Sequence, residues 1–462
     1  MVLPKQRKIG LEQEFLAVDL ETGQAISRDQ IKQIWKKWGE SPHVDTYFDY
    51  GTRQAVGVKY HQKDGREVVI NTDAGVDVVE FGFLPFPTLQ EAEKNAREII
   101  REFQEVAQES GVGLISYGLQ PKTPYFYPDL KSEKMWYRGF VRLYERGHSG
   151  FHNIAANQPN IDLTLDEAIP AVNMANALSP LFIALFANSG AGEYKIQEHH
   201  EQREHRWNLW MKGEGRREKI SGIAEHPFES FEDYFEYNWT IPLPAVHRGS
   251  TQYVIDSNPE ILEYLESGKD WDALDVGPLI KPVKVRPEVQ DINQSLQYIW
   301  IQARLKLEFE NDFTIEEILT AWKNKKLRKF MEKYLNKLYL EARCIAQQPW
   351  EDIIAPAALI LGLIENLEKA DKLAKKRTWE QWRQLREQTL TASLETPGIE
   401  DDLARMLDIA EKGLKKRKFG EEKYLKCLWE RLEKKQSPAI KAIKIFRSRG
   451  PEGLLKEVLI PL

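Results

Sequence analysis

Cysteine is scarce in this chain: 462 residues hold two, Cys344 and Cys427. Two thiols in that length build no disulfide framework, and the count fits a reducing cytoplasm. Long apolar runs are missing as well. No stretch reaches the roughly 18 apolar residues of a membrane-spanning helix, and the longest, around Ile353–Ile364, is interrupted by Pro356. The opening Met-Val-Leu-Pro-Lys-Gln-Arg-Lys runs into Glu12 without an extended apolar core, so no secretory signal is expected. Charge of one sign is not in surplus either. Lys and Arg number 65 against 71 Asp and Glu, a net charge of −6. That balance gives no general attraction for nucleic acid or an anionic membrane surface. A glycine-rich phosphate loop of either common spacing is absent, and no internal repeat is evident. What remains is a chain for small-molecule partners.

Apolar residues at 42% and charged residues at 29% describe a soluble globular protein. The length suffices for one large domain or two to three ordinary ones. Period-two alternation predicts strands at Lys8–Val18, Ala55–Tyr60, Glu67–Ile70 and Val76–Phe83, with Lys63-Asp64-Gly65 as a hairpin turn. Thr88–Ser110 reads as an amphipathic helix stopped at Gly111. Further strands are predicted at Val112–Gly118, His152–Leu163 and Leu335–Cys344. Strands and helices mix without regular alternation, which points to the α+β class rather than to a doubly wound sheet. From about Trp350 onward the pattern is helical, rich in Lys, Glu, Leu and Trp. Residues 1–350 are therefore expected to form a sheet-bearing core, with 351–462 a helical segment packed on it. Trp379, Trp382 and Trp429 are expected to pack that segment, and Lys415-Lys416-Arg417-Lys418 to be a solvated helix face.

The polar residues inside these strands carry the chemistry. In Ile9-Gly10-Leu11-Glu12-Gln13-Glu14-Phe15 the two carboxylates project from one strand face. Like charges there repel unless water, a cation or basic side chains lie between them; a solvated edge strand would carry the same pattern. In Thr72-Asp73-Ala74-Gly75-Val76-Asp77-Val78-Val79-Glu80, Glu80 sits in an apolar strand and needs a cation or hydrogen bonds if buried. Asp73 has the wrong parity for that face unless Gly75 opens a turn or bulge. In Tyr339-Leu340-Glu341-Ala342-Arg343-Cys344, Glu341 and Arg343 share a polar stripe that suits either a plain ion pair or the wall of a charged cavity. Ser149-Gly150-Phe151-His152 opens an extended polar stretch through Gln158, Asn160 and Asp162, where His152 is a ligand or a structural histidine. Arg203-Glu204-His205-Arg206 offers cations to anionic groups, as would any surface basic cluster. Five carboxylates on at least three separate strands, with a histidine and arginines, fit a site for hard divalent cations and phosphate oxygens.

Taken in order, these segments resemble the glutamate–cysteine ligases, members of the glutamine synthetase-like carboxylate–amine ligases. Ile9–Phe15 resembles the family's opening Gly-x-Glu-x-Glu strand, and Thr72-Asp73 with Glu80-Phe81 its Thr-Asp…Glu segment. Ser149–His152 resembles a Ser-Gly-x-His motif, and Tyr339–Arg343 with Pro349 the Tyr-(Ile/Leu)-Glu-x-Arg…Pro strand. Gly118–Lys122, Gln158–Asp162 and Phe186–Ser189 are similar to the plant-type branch. The resemblance spans roughly residues 9 to 360. It implies a curved antiparallel sheet forming a funnel-shaped site with helices outside, and the cofactors ATP and Mg2+ or Mn2+. It also implies a γ-glutamyl phosphate intermediate and a place in glutathione biosynthesis. Glu12, Glu14, Asp73, Glu80, His152 and Glu341 would be metal ligands, with Glu80 and Arg343 closest to the reaction and Arg343 facing the transferring phosphoryl group. Arg203 or Arg206 would bind the glutamate carboxylate, with Gln158 near metal or substrate. Tyr237 lies, with Tyr234 and Trp239, where the family shapes its acceptor pocket. Tyr137 and Arg138 are candidates for substrate contact. The substrates implied are glutamate, cysteine or another amine, and ATP, with neither nucleic acid nor membrane as partner.

Overall fold

The computed structural model describes residues 7–49, 51–124, 131–135, 137, 152–211, 219–249, 251–277 and 279–461. Its centre is a nine-stranded sheet in which every neighbouring pair is antiparallel. The strands in chain order are β1 (Ile9–Asp19), β2 (Val44–Phe48), β3 (Ala55–His61), β4 (Glu67–Thr72), β5 (Val78–Phe86), β6 (Val112–Ile115), β7 (Asn157–Asp162), β8 (Ala303–Phe309) and β9 (Leu335–Ala342). Their spatial order is β8-β9-β7-β1-β5-β4-β3-β2, with β6 pairing the far end of β1. The hairpin predicted at Lys63–Gly65 joins β3 to β4, and Gly65 takes φ 82° there.

Two strand boundaries differ from those the sequence predicts. β5 begins at Val78 rather than Val76, because residues 73–77 form a turn closed by the Asp73 N–H on the Val78 carbonyl, 2.9 Å. Residues 152–156 precede β7 in irregular backbone, and Asn153 takes φ 68°. Alternation alone does not mark where ladder pairing starts. The small four-stranded antiparallel sheet between Val246 and Val285 was not anticipated either.

One face of the large sheet is apolar: Leu11, Phe15, Phe81, Ile161, Leu305 and Leu340 are all at most 2% exposed. Helix α1 (Leu89–Gln108) covers part of it. The Thr88 side chain caps the helix by accepting from the Glu91 N–H, and Ala96, Ile99, Ile100 and Phe103 face inward. The Phe103 and Phe81 rings meet edge to face at 5.7 Å. Helix α2 (Leu165–Phe186) starts from a Thr164–Glu167 capping box and is buried along nearly its whole length. It is long and apolar enough to cross a membrane, and 83% of its apolar window is buried inside the protein. Asp166, Glu167, Asn173, Asn176 and Ser179 interrupt it, so it is not one of the unbroken apolar runs whose absence the sequence shows.

The C-terminal residues form six α-helices among the described residues, α3 (Ala355–Glu365), α4 (Leu367–Ala374), α5 (Trp379–Ala392), α6 (Glu400–Arg417), α7 (Lys426–Lys434) and α8 (Pro438–Val458). Helix α3 packs on β7 and crosses α6 where Gly362 meets Gly413. A Cβ on either glycine would overlap the other helix's backbone, so this crossing depends on their small size. Gly362→Leu is expected to destabilise the protein by about 1–3 kcal/mol or more, read as a lower guanidinium midpoint. The chain then returns to the sheet: Val458 accepts from the Ser116 N–H at 2.8 Å, and the Ile460 N–H donates to Leu114 at 2.9 Å. The predicted solvated face at 415–418 is only partly so. Arg417 turns inward to Glu365, Glu421 and the Pro87 carbonyl.

Candidate active site

The opposite sheet face is polar, and register decides which side chains share it. Glu14 stands across from Glu80 on β5, and Glu12 from Gly82 on β5 and Gln158 on β7. Asn160 on β7 faces Glu341 on β9, which faces Arg304 on β8. Directly opposed residues of an antiparallel pair lie on one face. A single row of polar groups therefore crosses β5, β1, β7, β9 and β8.

Carboxylate oxygens of Glu12, Glu14 and Glu80 all lie within 4.8 Å of one another. The Gln158 amide bridges the first two, donating at 3.0 Å to Glu12 and 3.1 Å to Glu14. Glu14 also accepts the Ala156 N–H at 2.7 Å. Burial, then the neighbouring Glu80 and Glu341 charges, pushes the Glu12 carboxyl up to about 8. Burial and then Asp73 push Glu14 to about 8 and Glu80 to about 7, with Lys134 opposing the rise at Glu80. Three carboxylates that close, partly withdrawn from water, repel one another when ionised. The all-oxygen donor set is the one that hard divalent cations prefer. Space is present too: a Cβ on Gly82, directly across from Glu12, would meet only the Val69 carbonyl, at 3.8 Å. The residues fit a divalent metal.

The other end of the row is electropositive. Glu341, 2% exposed, is contacted by Arg304, by Arg343 at 3.1 Å and by Lys306 at 3.6 Å. Burial alone would raise its carboxyl; the three cations outweigh that and hold it well below the carboxylate range. Burial, then Arg304, lowers the Lys306 ammonium to about 8. The Arg343 guanidinium lies 5.8 Å from the Trp207 ring centre. An acidic pole thus adjoins a basic pole on one surface, an arrangement that suits a metal-bound polyphosphate.

A model of the glutamate–cysteine ligase family 2 (GCS2) matches residues 8–447. The chain belongs to that family. Similar proteins include glutamate–cysteine ligase A, chloroplastic, of Oryza sativa subsp. indica, 23% identical over 477 residues that cover 99% of this chain and 85% of the relative. The chloroplastic glutamate–cysteine ligase of Arabidopsis thaliana is 22% identical over 472 residues, 97% of this chain and 78% of the relative. Among solved structures, glutamate–cysteine ligase from Francisella tularensis in complex with AMP superposes with a TM-score of 0.56 at 12% identity, covering 98% of this chain and 87% of that one. At that identity the likeness speaks for the fold, a mixed helix and antiparallel-sheet architecture without a closed barrel.

In this family 2 member the structure brings Glu12, Glu14, Glu80 and Gln158 together, with Asp73 near enough to raise both Glu14 and Glu80. Asp73 accepts from the Tyr137 hydroxyl. The parity conflict at Asp73 disappears because the 73–77 turn, not a continuous strand, carries it. His152 directs Nδ1 at the Ala74 carbonyl, 3.1 Å away. In the neutral ring this is the tautomer that keeps the lone pair on Nε2, as metal-binding histidines do. Among the described residues it is not part of the three-glutamate group. Glu341 is likewise outside that group and stands amid cations. Arg203 donates to Glu204 at 3.1 Å and to the Arg343 carbonyl at 2.9 Å, and its charge reaches Glu14. Arg206 is paired with Glu193. Tyr237 is a core residue: its ring packs edge-on against Phe228 and its hydroxyl donates to the Lys219 carbonyl at 2.7 Å. Ser149, Gly150, Phe151 and Arg138 lie outside the described residues. Sequence reasoning missed Arg304, Lys306 and Lys134. The signal for the first two was present, since Ala303–Phe309 alternates Arg, Lys and Glu with Leu, Leu and Phe as plainly as β1 does.

Proposed function

We propose that this protein is an ATP-dependent ligase that joins the γ-carboxylate of L-glutamate to the amine of L-cysteine. The single observation that carries the reading is the convergence of Glu12, Glu14 and Glu80 beside the Arg304–Lys306–Arg343 row, in a chain of this family. Mg2+ or Mn2+ held by the three glutamates, with Asp73 and His152 alongside, would neutralise the charge of the ATP β- and γ-phosphates. Gln158 keeps Glu12 and Glu14 converged through its bifurcated amide. Arg343 presents its guanidinium to the phosphoryl group as it passes to the glutamate carboxylate, and Glu341 fixes that guanidinium in place. The acceptor amine then displaces phosphate from the acyl phosphate, giving γ-glutamylcysteine, ADP and phosphate. No side-chain nucleophile is required. Cys344, the thiol nearest in sequence to Arg343, is buried on the apolar side, and burial pushes it far above the thiol range.

On this reading the sheet curves around the polar face so that the cluster lies at the base of a funnel. Residues 1–350 are the catalytic unit and 351–462 a helical buttress. The two free thiols suit a reducing compartment, and we take it to be the cytoplasm. The test is ADP release by purified protein given ATP, Mg2+, glutamate and a panel of amines, with mass spectrometry of the product. Release that requires both amino acids and the metal, with γ-glutamylcysteine as product, is expected. ADP release with a different amine would move the acceptor but keep the ligase. No release with any amino-acid pair would overturn the reading.

A further inference from the structure

Arg343 lies one residue beyond the end of β9, whose pairing with β8 stops at Ala342 opposite Ala303. One further inter-strand bond in the same register and one side chain hold its backbone. The Arg343 N–H donates to the Gln302 carbonyl at 2.8 Å, and the Arg343 carbonyl accepts from Arg203 Nη1 at 2.9 Å. Both holders meet on one carboxylate. Glu204 accepts from Arg203 Nη1 at 3.1 Å through Oε2, and from the Gln302 amide at 2.5 Å through Oε1. A third donor reaches Glu204 Oε1 from the C-terminal helices: Arg386 Nη2 on α5, at 2.8 Å. Arg386 is anchored in turn by Asn208 Oδ1 at 2.9 Å and Glu387 Oε1 at 2.8 Å.

Glu204, Arg203, Arg386 and Gln302 are each at most 3% exposed. A carboxylate shared by two guanidinium groups in such a place is costly to desolvate and weak evidence for stability alone. Its geometry is specific, however, because each arginine presents a planar fork with fixed donor directions. The network fixes the Arg343 main chain from both sides.

We propose that Glu204 is a positioning residue for Arg343, and that Arg386 ties the position of that arginine to the C-terminal helical segment. The inference rests on the reading of Arg343 as the group facing the transferring phosphoryl. It makes helix α5 part of the active-site scaffold. A misplaced Arg343 weakens an interaction gained only in the transition state, so kcat falls while the KM values for ATP and glutamate hold.

The experiment is a double-mutant cycle in the full-length protein. Glu204→Gln keeps the shape and removes the charge; kcat is expected to fall at least about tenfold with both KM values within about twofold. In an Arg343→Met background the same substitution should cost less than about twofold more, because its effect passes through Arg343. If Glu204→Gln does not fold, Arg386→Lys is measured the same way. It keeps the charge, lacks the fork, and should lower kcat by about threefold with the same non-additivity. Independent, multiplicative losses in the Arg343→Met background would overturn the positioning role and leave Arg343 in its place. Full turnover by Arg343→Met alone would instead overturn the reading of Arg343.

Discussion

Glu80→Gln should leave the protein folded, raise the stability of the metal-free form and remove turnover. The three effects have one cause. Glu80 lies within 4.8 Å of the Glu12 and Glu14 oxygens, and burial with Asp73 holds its carboxyl up near 7. An uncharged amide of the same shape relieves like-charge repulsion, worth on the order of 1–3 kcal/mol at pH 8. It also takes from the proposed metal an anionic ligand and leaves a weaker neutral donor. Loss of even an outer-sphere partner lowers metal affinity about 10–100-fold, so loss of this ligand should lower kcat at least about 100-fold. Thermal unfolding in EDTA, Mg2+ titration by calorimetry and ADP release check the three parts. A variant that loses stability in EDTA would show that Glu80 holds the fold rather than the ion. One that keeps near-full activity would show that the ion is held elsewhere. Few substitutions both stabilise a protein and silence it, and those that do mark sites kept under strain for function.

The sequence made part of this site legible for a physical reason. Period-two alternation puts same-parity residues on one strand face, so Glu12 with Glu14, and Glu341 with Arg343, could be paired before any fold was known. Which strands lie beside one another is not a local property. β8 carries the same alternation as β1, but without its pairing partner nothing marked Arg304 and Lys306 as neighbours of Glu341. Asp73 failed a parity rule that does not apply across a turn. Tyr237 stood in the right segment, yet its helix (Phe231–Trp239) turns it into the aromatic core, a choice made by packing rather than by spacing. Glu204 was visible only as one charge in a basic cluster. Beyond the adjacent Arg203 its partners are Gln302 and Arg386, and contacts over such separations leave no periodic trace. Arg417 likewise looked solvated because two of its acceptors, Glu365 and the Pro87 carbonyl, lie far away in sequence.

Glu341→Ala should behave in the opposite way to Glu80→Gln, although the sequence places both on acidic stripes of one face. Glu341 is the shared counter-ion of Arg304, Lys306 and Arg343, at 2% exposure. Removing it leaves three cations facing one another with little water, and breaking a buried pair from one side costs about 3–5 kcal/mol. The thermal midpoint should fall by several degrees, and turnover should fall with it as Arg343 loses its restraint. The two classes of carboxylate also give opposite pH dependence. Burial and the neighbouring acids raise Glu12, Glu14 and Glu80 to about 8, 8 and 7, above the unfolded value near 4.3. Their contribution is complete below that unfolded value and is lost as pH climbs through 7 to 8. The cations depress Glu341, so its contribution is complete above the unfolded value and is lost as pH falls. From these groups the metal-free protein should be most stable at about pH 4, around the unfolded carboxylate value, declining on both sides. Mg2+ should flatten the alkaline limb alone, since it binds the folded state and supplies the missing positive charge. Glu80→Gln should flatten the same limb without metal, and Glu341→Ala should remove part of the acid limb. Unfolding midpoints from about pH 2 to 9, in EDTA and in Mg2+, separate these outcomes. An alkaline limb that persists unchanged in saturating Mg2+ would mean that the three glutamates are not where the ion binds.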